Sequence, residues 1–247
     1  MKFHWAASFF LLMTFFFLQV ISVTAQSAAD DSTLYKKAVS NTIALYYKSA
    51  GDQLGLYNGI QYGGYPFSFT EGHPFFYSNK PDIGSVVYDG ILYENLSMQY
   101  DEITEALFMQ DSLRRIQLLN PRIERFTLFA NNFIRIVKDT ESAALVKTGF
   151  YNVLYEGNTS LLKKEVKLIR DDVSTGELRH FVDATEYYYL KKNNVFFSIR
   201  SKSGFLDLFK DKRKQIKQYI AKNKLSYRKD RDNMLAKATA YYDQLTQ

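Results

Sequence analysis

The sequence has no cysteine, a single tryptophan, four prolines and three histidines in 247 residues. Without cysteine there is no disulfide framework, no thiol nucleophile and no thiolate metal site. Past the first segment histidine is reduced to His73 and His180, too far apart in sequence for a His-x-x-x-His zinc pair. A Walker lysine loop, a G-x-S-x-G elbow and a dinucleotide fingerprint following a strand are also missing. So are internal repeats and low-complexity runs. No cofactor and no metal is expected on these grounds.

What is there begins with a long uncharged run. Met1-Lys2-Phe3-His4 gives a short positive start, and Trp5 to Val23 carries no charge. The run closes on Val23-Thr24-Ala25, small or β-branched residues before a polar stretch from Gln26. This is the three-part pattern of a secretory signal peptide over residues 1–25, with cleavage expected after Ala25. The alternative is a retained anchor, since about 28 Å of helix nearly matches a bilayer core of about 30 Å. Removing residues 1–25 from 247 leaves 222, without the only Trp and without six of the 20 Phe, but with all 19 Tyr. That is enough for one domain with its own core. An exported chain of this size without disulfides fits a bacterial envelope better than an animal extracellular space. The sequons at Asn95 and Asn158 would matter only in a eukaryotic secretory pathway.

Charge is unevenly placed. Residues 200–247 carry 13 Lys/Arg against 5 Asp/Glu, whereas residues 26–199 carry 18 against 21. The basic character therefore belongs to the tail.

Periodicity assigns the elements. In residues 26–50, Leu34, Tyr35, Ala38, Val39, Ile43, Tyr46 and Tyr47 fall at helical spacing after Asp30, Asp31 and Ser32, which suit a helix start. Residues 51–85 interleave glycine with Tyr57, Tyr62, Tyr65, Phe67, Phe69, Phe75, Phe76 and Tyr77 and predict an ordered, largely irregular excursion. From Val86 to Ile199 apolar and polar residues alternate. Leu96, Met98 and Tyr100 oppose Ser97, Gln99 and Asp101; Phe126 and Leu128 oppose Arg125 and Thr127; Ile134 and Ile136 flank Arg135; Leu162, Val166 and Leu168 oppose Lys163, Glu165 and Lys167. Asp89-Gly90, Asn131-Asn132 and Asn193-Asn194 mark tight turns. With no helix-length insert before Lys138–Thr148, this predicts an antiparallel meander of about eight strands, not βαβ units. Such a meander can curve toward a half-barrel. Residues 203–247 predict a basic αα-hairpin. Leu206, Phe209, Ile216, Tyr219 and Ile220 form one face; Met234, Leu235, Ala238, Tyr241, Tyr242 and Leu245 form the other; Asn223-Lys224 is the break. The fold class is α+β: an N-terminal helix over 26–50, an excursion and sheet over 51–202, and the hairpin packed on that sheet.

Three groups of residues are candidates for function. Tyr57, Tyr62, Tyr65 and Phe67, with His73, could form an aromatic platform for a sugar, peptide or other apolar ligand, with Tyr62 or Tyr65 exposed while inner rings complete the core. Glu71-Gly72-His73-Pro74 sets a carboxylate beside an imidazole, which suits acid–base work or simply a turn. His180 is placed on a strand face, and Asp101-Glu102 and Asp171-Asp172 at strand ends where solvated acids are ordinary. Lys212, Arg213, Lys214 and Lys217 head the basic surface; opposite Ile216 and Ile220 they read as a solvated face, able to touch an anionic membrane surface. Export makes nucleic acid an unsuitable partner.

Two stretches carry a resemblance. Val87-Tyr88-Asp89-Gly90-Ile91-Leu92-Tyr93-Glu94-Asn95-Leu96 with Gln99-Tyr100-Asp101, and Tyr188-Tyr189-Leu190 through Ser203-Gly204-Phe205-Leu206 to Ile216-Lys217-Gln218-Tyr219-Ile220, resemble uncharacterised small exported proteins of Gram-negative bacteria. That resemblance implies an exported, β-rich protein in the periplasm, at the outer membrane or outside the cell, and carries no site residues. The expected role is non-enzymatic: binding a partner or ligand in the envelope. The alternatives are a carrier holding a lipid or other apolar molecule in a curled sheet, and a glycan or peptide hydrolase using Glu71, His73 or Asp101.

Overall fold

The computed structural model describes residues 55–110, 114–138, 145–174 and 176–246, together with Tyr35, Ala38, Val39 and Thr42. The chain divides into two units, Met1–Leu54 and Gly55–Gln247. The expected signal segment 1–25, and most of the expected helix over 26–50, lie outside the described residues. The four described positions of that helix are helical and exposed, and the Thr42 hydroxyl donates to the Ala38 carbonyl at 2.9 Å.

The second unit is an eleven-stranded sheet with antiparallel pairing throughout. The strands are β1 (Ile60–Gln61), β2 (Asp82–Tyr88), β3 (Ile91–Asp101), β4 (Ala106–Gln110), β5 (Arg115–Gln117), β6 (Ile123–Leu128), β7 (Asn131–Ile136), β8 (Gly149–Tyr155), β9 (Thr159–Asp172), β10 (Arg179–Lys192) and β11 (Val195–Ile199). Their order is β1-β5-β4-β3-β2-β6-β7-β8-β9-β10-β11. Two meanders, β2 to β5 and β6 to β11, are thus joined along β2 and β6. The connection from β5 to β6 passes through a 3-10 turn, Asn120–Arg122. It is held on the way by Asn120 Nδ2 donating to the Glu105 carbonyl at 2.7 Å and by the ion pair of Arg122 with Asp89.

The sheet is neither closed nor strongly curled, so the half-barrel is not formed. It also has more strands than the expected eight, because short pieces such as β1 and β5 are too brief to show a period. Gly84 in β2 is fixed by close approach: a Cβ there would lie 2.1 Å from the Thr127 carbonyl oxygen on β6. Two tight turns sit where expected, with positive φ at Asp89 and Gly90 and at Asn193 and Asn194. The third does not. Phe129 (φ 48°) and Ala130 (φ 58°) make the turn, and Asn131 and Asn132 open β7. Phe129 is held there because its ring meets Phe76 and Tyr77 (centroids 6.3 and 5.2 Å) and its N–H donates to Asp82.

Aromatic rings fill the interior between the meanders. Phe126 stacks on Phe133 at 4.5 Å, with Tyr100 and Phe150 edge-on or tilted against Phe126 at 5.3 Å. A second cluster, Val146, Tyr151, Leu162 and Phe196, is flanked by Ile134 and Ile136. Three helices cover the sheet's last strands: α1 (Lys202–Asp207), α2 (Arg213–Lys222) and α3 (Arg231–Thr246). The Ser201 side chain caps α1 by accepting from Gly204 N–H. A 3-10 turn over Lys210–Lys212 divides what the periodicity reads as one helix. Phe205, Leu206, Phe209, Ile216, Ile220, Met234, Leu235, Ala238 and Tyr242 share one core with Leu161, Tyr188, Leu190 and Ile199 of the sheet. Burial of Ile216 and Ile220 contributes about 1.5–3 kcal/mol each. None of the described helices is long and apolar enough to cross a membrane.

One strand inverts its expected pattern. Along β9, Leu168 is 63% exposed while Lys167 is 7% exposed. The lysine instead reaches inward to Glu102, Glu165 and the Phe75 carbonyl.

Candidate functional site

The Gly/aromatic segment is fastened at three places by its backbone. Tyr62 N–H donates to the Arg115 carbonyl, extending β1 along β5. Thr70 N–H donates to the His180 carbonyl and Val182 N–H to the Glu71 carbonyl, both on β10. Phe76 N–H then donates to Tyr100, and Glu102 N–H to Pro74, at the end of β3. Gly72 (φ 81°) permits the bend between the second and third attachments; a Cβ there would press on Val182 at 3.0 Å.

This course covers the outer face of β3, β4 and β5. Gln99 and Asp101, which alternation places outside, are therefore buried, at 1% and 0% exposure. Asp101 accepts four hydrogen bonds, from Tyr62 OH and Tyr65 OH at 2.9 Å and from the N–H groups of Ile103 and Thr104. Burial, and then the Asp101 charge, push the Tyr62 hydroxyl far above its ordinary range; Tyr65 shifts the same way. Tyr62 stacks on Phe108 at 4.2 Å. The Arg115 guanidinium lies 4.7 Å from the Phe108 ring and 5.4 Å from Tyr62, and donates to Gln99. Neither Tyr62 nor Tyr65 is exposed: both are half-buried with committed hydroxyls. Phe67 stacks on His180 at 3.8 Å, and the His180 Nδ1 is 2.8 Å from Asp171, on a strand face as expected. Tyr57, in a 3-10 turn over Gly55–Asn58, has the Arg114 guanidinium 5.3 Å from its ring.

Beneath the third attachment lies a polar centre that alternation does not reveal. Glu102 (3% exposed) has Lys167 Nζ at 3.1 Å. The same ammonium is 3.7 Å from Glu165 and donates to the Phe75 carbonyl at 2.6 Å. Lys164, also buried, pairs with Glu105 at 2.7 Å. Burial, and then the negative charge of Glu165, push the Glu102 carboxyl up to about 8 against the pull of Lys167. His73 is pushed below its ordinary value by burial and by the Lys167 charge, and its Nδ1 is buried without a partner. Asp101 and Glu102 are thus not the solvated strand-end acids expected; the overlying segment removes their water. His73 has Lys167 and Glu165 as charged neighbours, and the Glu71 carbonyl accepts from Val182 N–H on β10.

The adjoining cavity, lined by Glu102, Lys163, Lys164, Glu165, Tyr100 and Asn152 among others, has a volume of about 10 Å³. That holds at most about one water. A groove of about 470 Å³ opens elsewhere, along β10 and the end of β11, lined by Glu186, Tyr187, Tyr189, Ser198, Arg200 and Arg231 among others. Of the basic candidates, Lys214 and Lys217 are exposed, while Lys212 and Arg213 are half-buried and Arg213 pairs with Asp207. Among the described residues no cluster of three His, Asp or Glu could hold a metal. No family model, no curated protein and no solved structure matches this chain.

Proposed function

We propose that this is an exported protein of the bacterial envelope that works by binding a partner or ligand, not by catalysis. One observation carries the reading: the shifted carboxyl and imidazole suited to acid–base work, Glu102 and His73, do not line the open groove that has space for a ligand. Glu102 lines a cavity of about 10 Å³, too small for a substrate. The open groove, at about 470 Å³, is within the range of ligand sites and presents tyrosine rings and guanidiniums. Tyrosine and arginine dominate binding hot spots because they combine a large apolar surface with directional hydrogen bonds. Buried Asp101 and the Glu102–Lys167 pair then serve the fold, by fastening the aromatic segment. Export rests on the segment 1–25, and the choice of a bacterial envelope on an exported chain of this size without cysteine.

The test is native mass spectrometry of the full chain recovered from its host's envelope. An adduct of defined mass, lost on denaturation, is the expected result. A bare chain that also turns over glycan or peptide substrates would overturn the reading.

A further inference from the structure

The groove adjoins a gap in the sheet's hydrogen bonding. β10 pairs with β9 along its whole length, Arg179 to Lys192, with no bulge. Its other flank is covered only in part. β11 pairs with residues 188–192, and the aromatic segment meets residues 180–182. Between them, residues 183–187 have no strand on that flank among the described residues, and all five side chains are exposed.

Parity tells which backbone groups are open. The His180 carbonyl and the Val182 N–H point to this flank, since both bond the aromatic segment. Alternation without a bulge sends the N–H and C=O of Ala184 and Glu186 the same way. The length left open, at about 3.4 Å per residue, is about 17 Å. An unpaired edge of this kind is a template for another strand.

The charges at the gap select what that strand carries. Asp183 is paired with Arg170 at 2.8 Å, and Glu186 with Lys163 at 2.6 Å, so both local carboxylates are committed. The guanidiniums are less so. Arg200 has no ion pair among the described residues, and Arg231 reaches Glu186 only at 3.9 Å, with its Nε buried and unpartnered. Arg231 is held in place by the rings of Tyr188 and Tyr227, 5.3 and 4.7 Å from its centre. Two guanidiniums at one end of an open strand edge suit a carboxylate, which accepts their paired N–H donors. Tyr187, 45% exposed, offers a ring beside them.

We infer that the edge of β10 at residues 183–187 is a peptide-binding site. It takes an extended segment of another protein as an added strand, with a carboxylate of that segment, from an acidic side chain or the C-terminus, held by Arg200 and Arg231. The inference rests on the binding role proposed above and gives it a place and a ligand class.

The experiment is amide NMR of the full chain, titrated with short β-branched peptides ending in glutamate and with the same peptides ending in amidated lysine. The acidic peptides shift the Ala184 and Glu186 amides and slow their exchange, and the lysine peptides bind at least tenfold more weakly. Arg200→Glu, a change at an exposed residue, reverses that preference. Ala184→Pro removes one open donor and abolishes binding of both sets; should it unfold the chain, Arg200→Glu carries the test. Silent amides at 184–187, or equal binding of the two sets, overturns the proposal. So does a concentration-dependent dimer that occupies this edge, which would make a second copy the occupant. An adduct in native mass spectrometry with silent amides at 184–187 removes this site while leaving the binding role standing.

Discussion

Glu102 holds its proton to about pH 8 because it is buried beside Glu165. Its folded value lies above the ordinary 4.5, so its contribution to stability is complete below pH 4.5 and is lost as pH rises toward 8. His73 acts oppositely, since its folded value lies below the ordinary 6.5; its contribution is lost as pH falls below that value. Between pH 6.5 and 8 only Glu102 of these two changes. Urea unfolding should therefore show stability falling across that window by up to about 1.4 kcal/mol per pH unit. Glu102→Gln should flatten the slope. An unchanged slope in that variant would mean that Glu102 is already ionised. Asp101 gives a simpler expectation. Asp101→Ala strands two tyrosine hydroxyls and two N–H groups. The loss should be about 3 kcal/mol or more, measured by denaturant midpoint. Limited proteolysis should then cut between residues 62 and 77.

Elements carry the next expectations. The turn at Phe129 and Ala130 puts two non-glycine residues at positive φ, where L side chains are strained by about 1 kcal/mol. Ala130→Gly should stabilise the protein by about 0.5–1 kcal/mol, read as a higher urea midpoint with unchanged slope. Helix α3 is pinned by Asp243, which is buried and accepts from Thr159 N–H and Tyr155 OH. Asp243→Ala should cost about 2–4 kcal/mol and loosen the helix from the β8–β9 turn. The elements also show where the sequence was readable. Period-two alternation located β3, β6 and β9, and helical spacing named Phe209, Ile216, Ile220, Met234 and Tyr242 before they were seen to share a core. It failed where tertiary contacts override local chemistry. Asn131 and Asn132 favour a turn, yet Phe129 takes it because its ring packs on Phe76 and Tyr77. Lys167 reads as solvent-facing, yet an acid and a carbonyl distant in sequence draw it inward. Glu102 and His73 were visible one by one, but nothing local joined them to Lys167: the three are brought together only by the fold.

At the scale of the molecule, the basic tail separates cleanly into two faces. Ile216 and Ile220 are buried, and Lys214 and Lys217 on the same helix α2 are exposed. Reversing both charges should leave the unfolding midpoint within about 0.5 kcal/mol of the parent, because exposed substitutions away from packed features rarely cost more. If this face touches an anionic membrane surface, the same variant should no longer sediment with anionic vesicles at low salt. Unchanged sedimentation would assign the tail to solvation alone.

The fastening of the aromatic segment also sets an order of events. Residues 70–72 bond to β10 and residues 74–76 to the far end of β3, so the segment is made early and completed late. Contacts so distant along the chain close slowly, because a long loop must be ordered first. A chain made N-terminus first leaves Phe67 without its His180 partner, and Thr70 and Glu71 without their β10 bonds, until residue 182 has arrived. During that interval the unfastened stretch exposes apolar rings on which a partly folded chain associates.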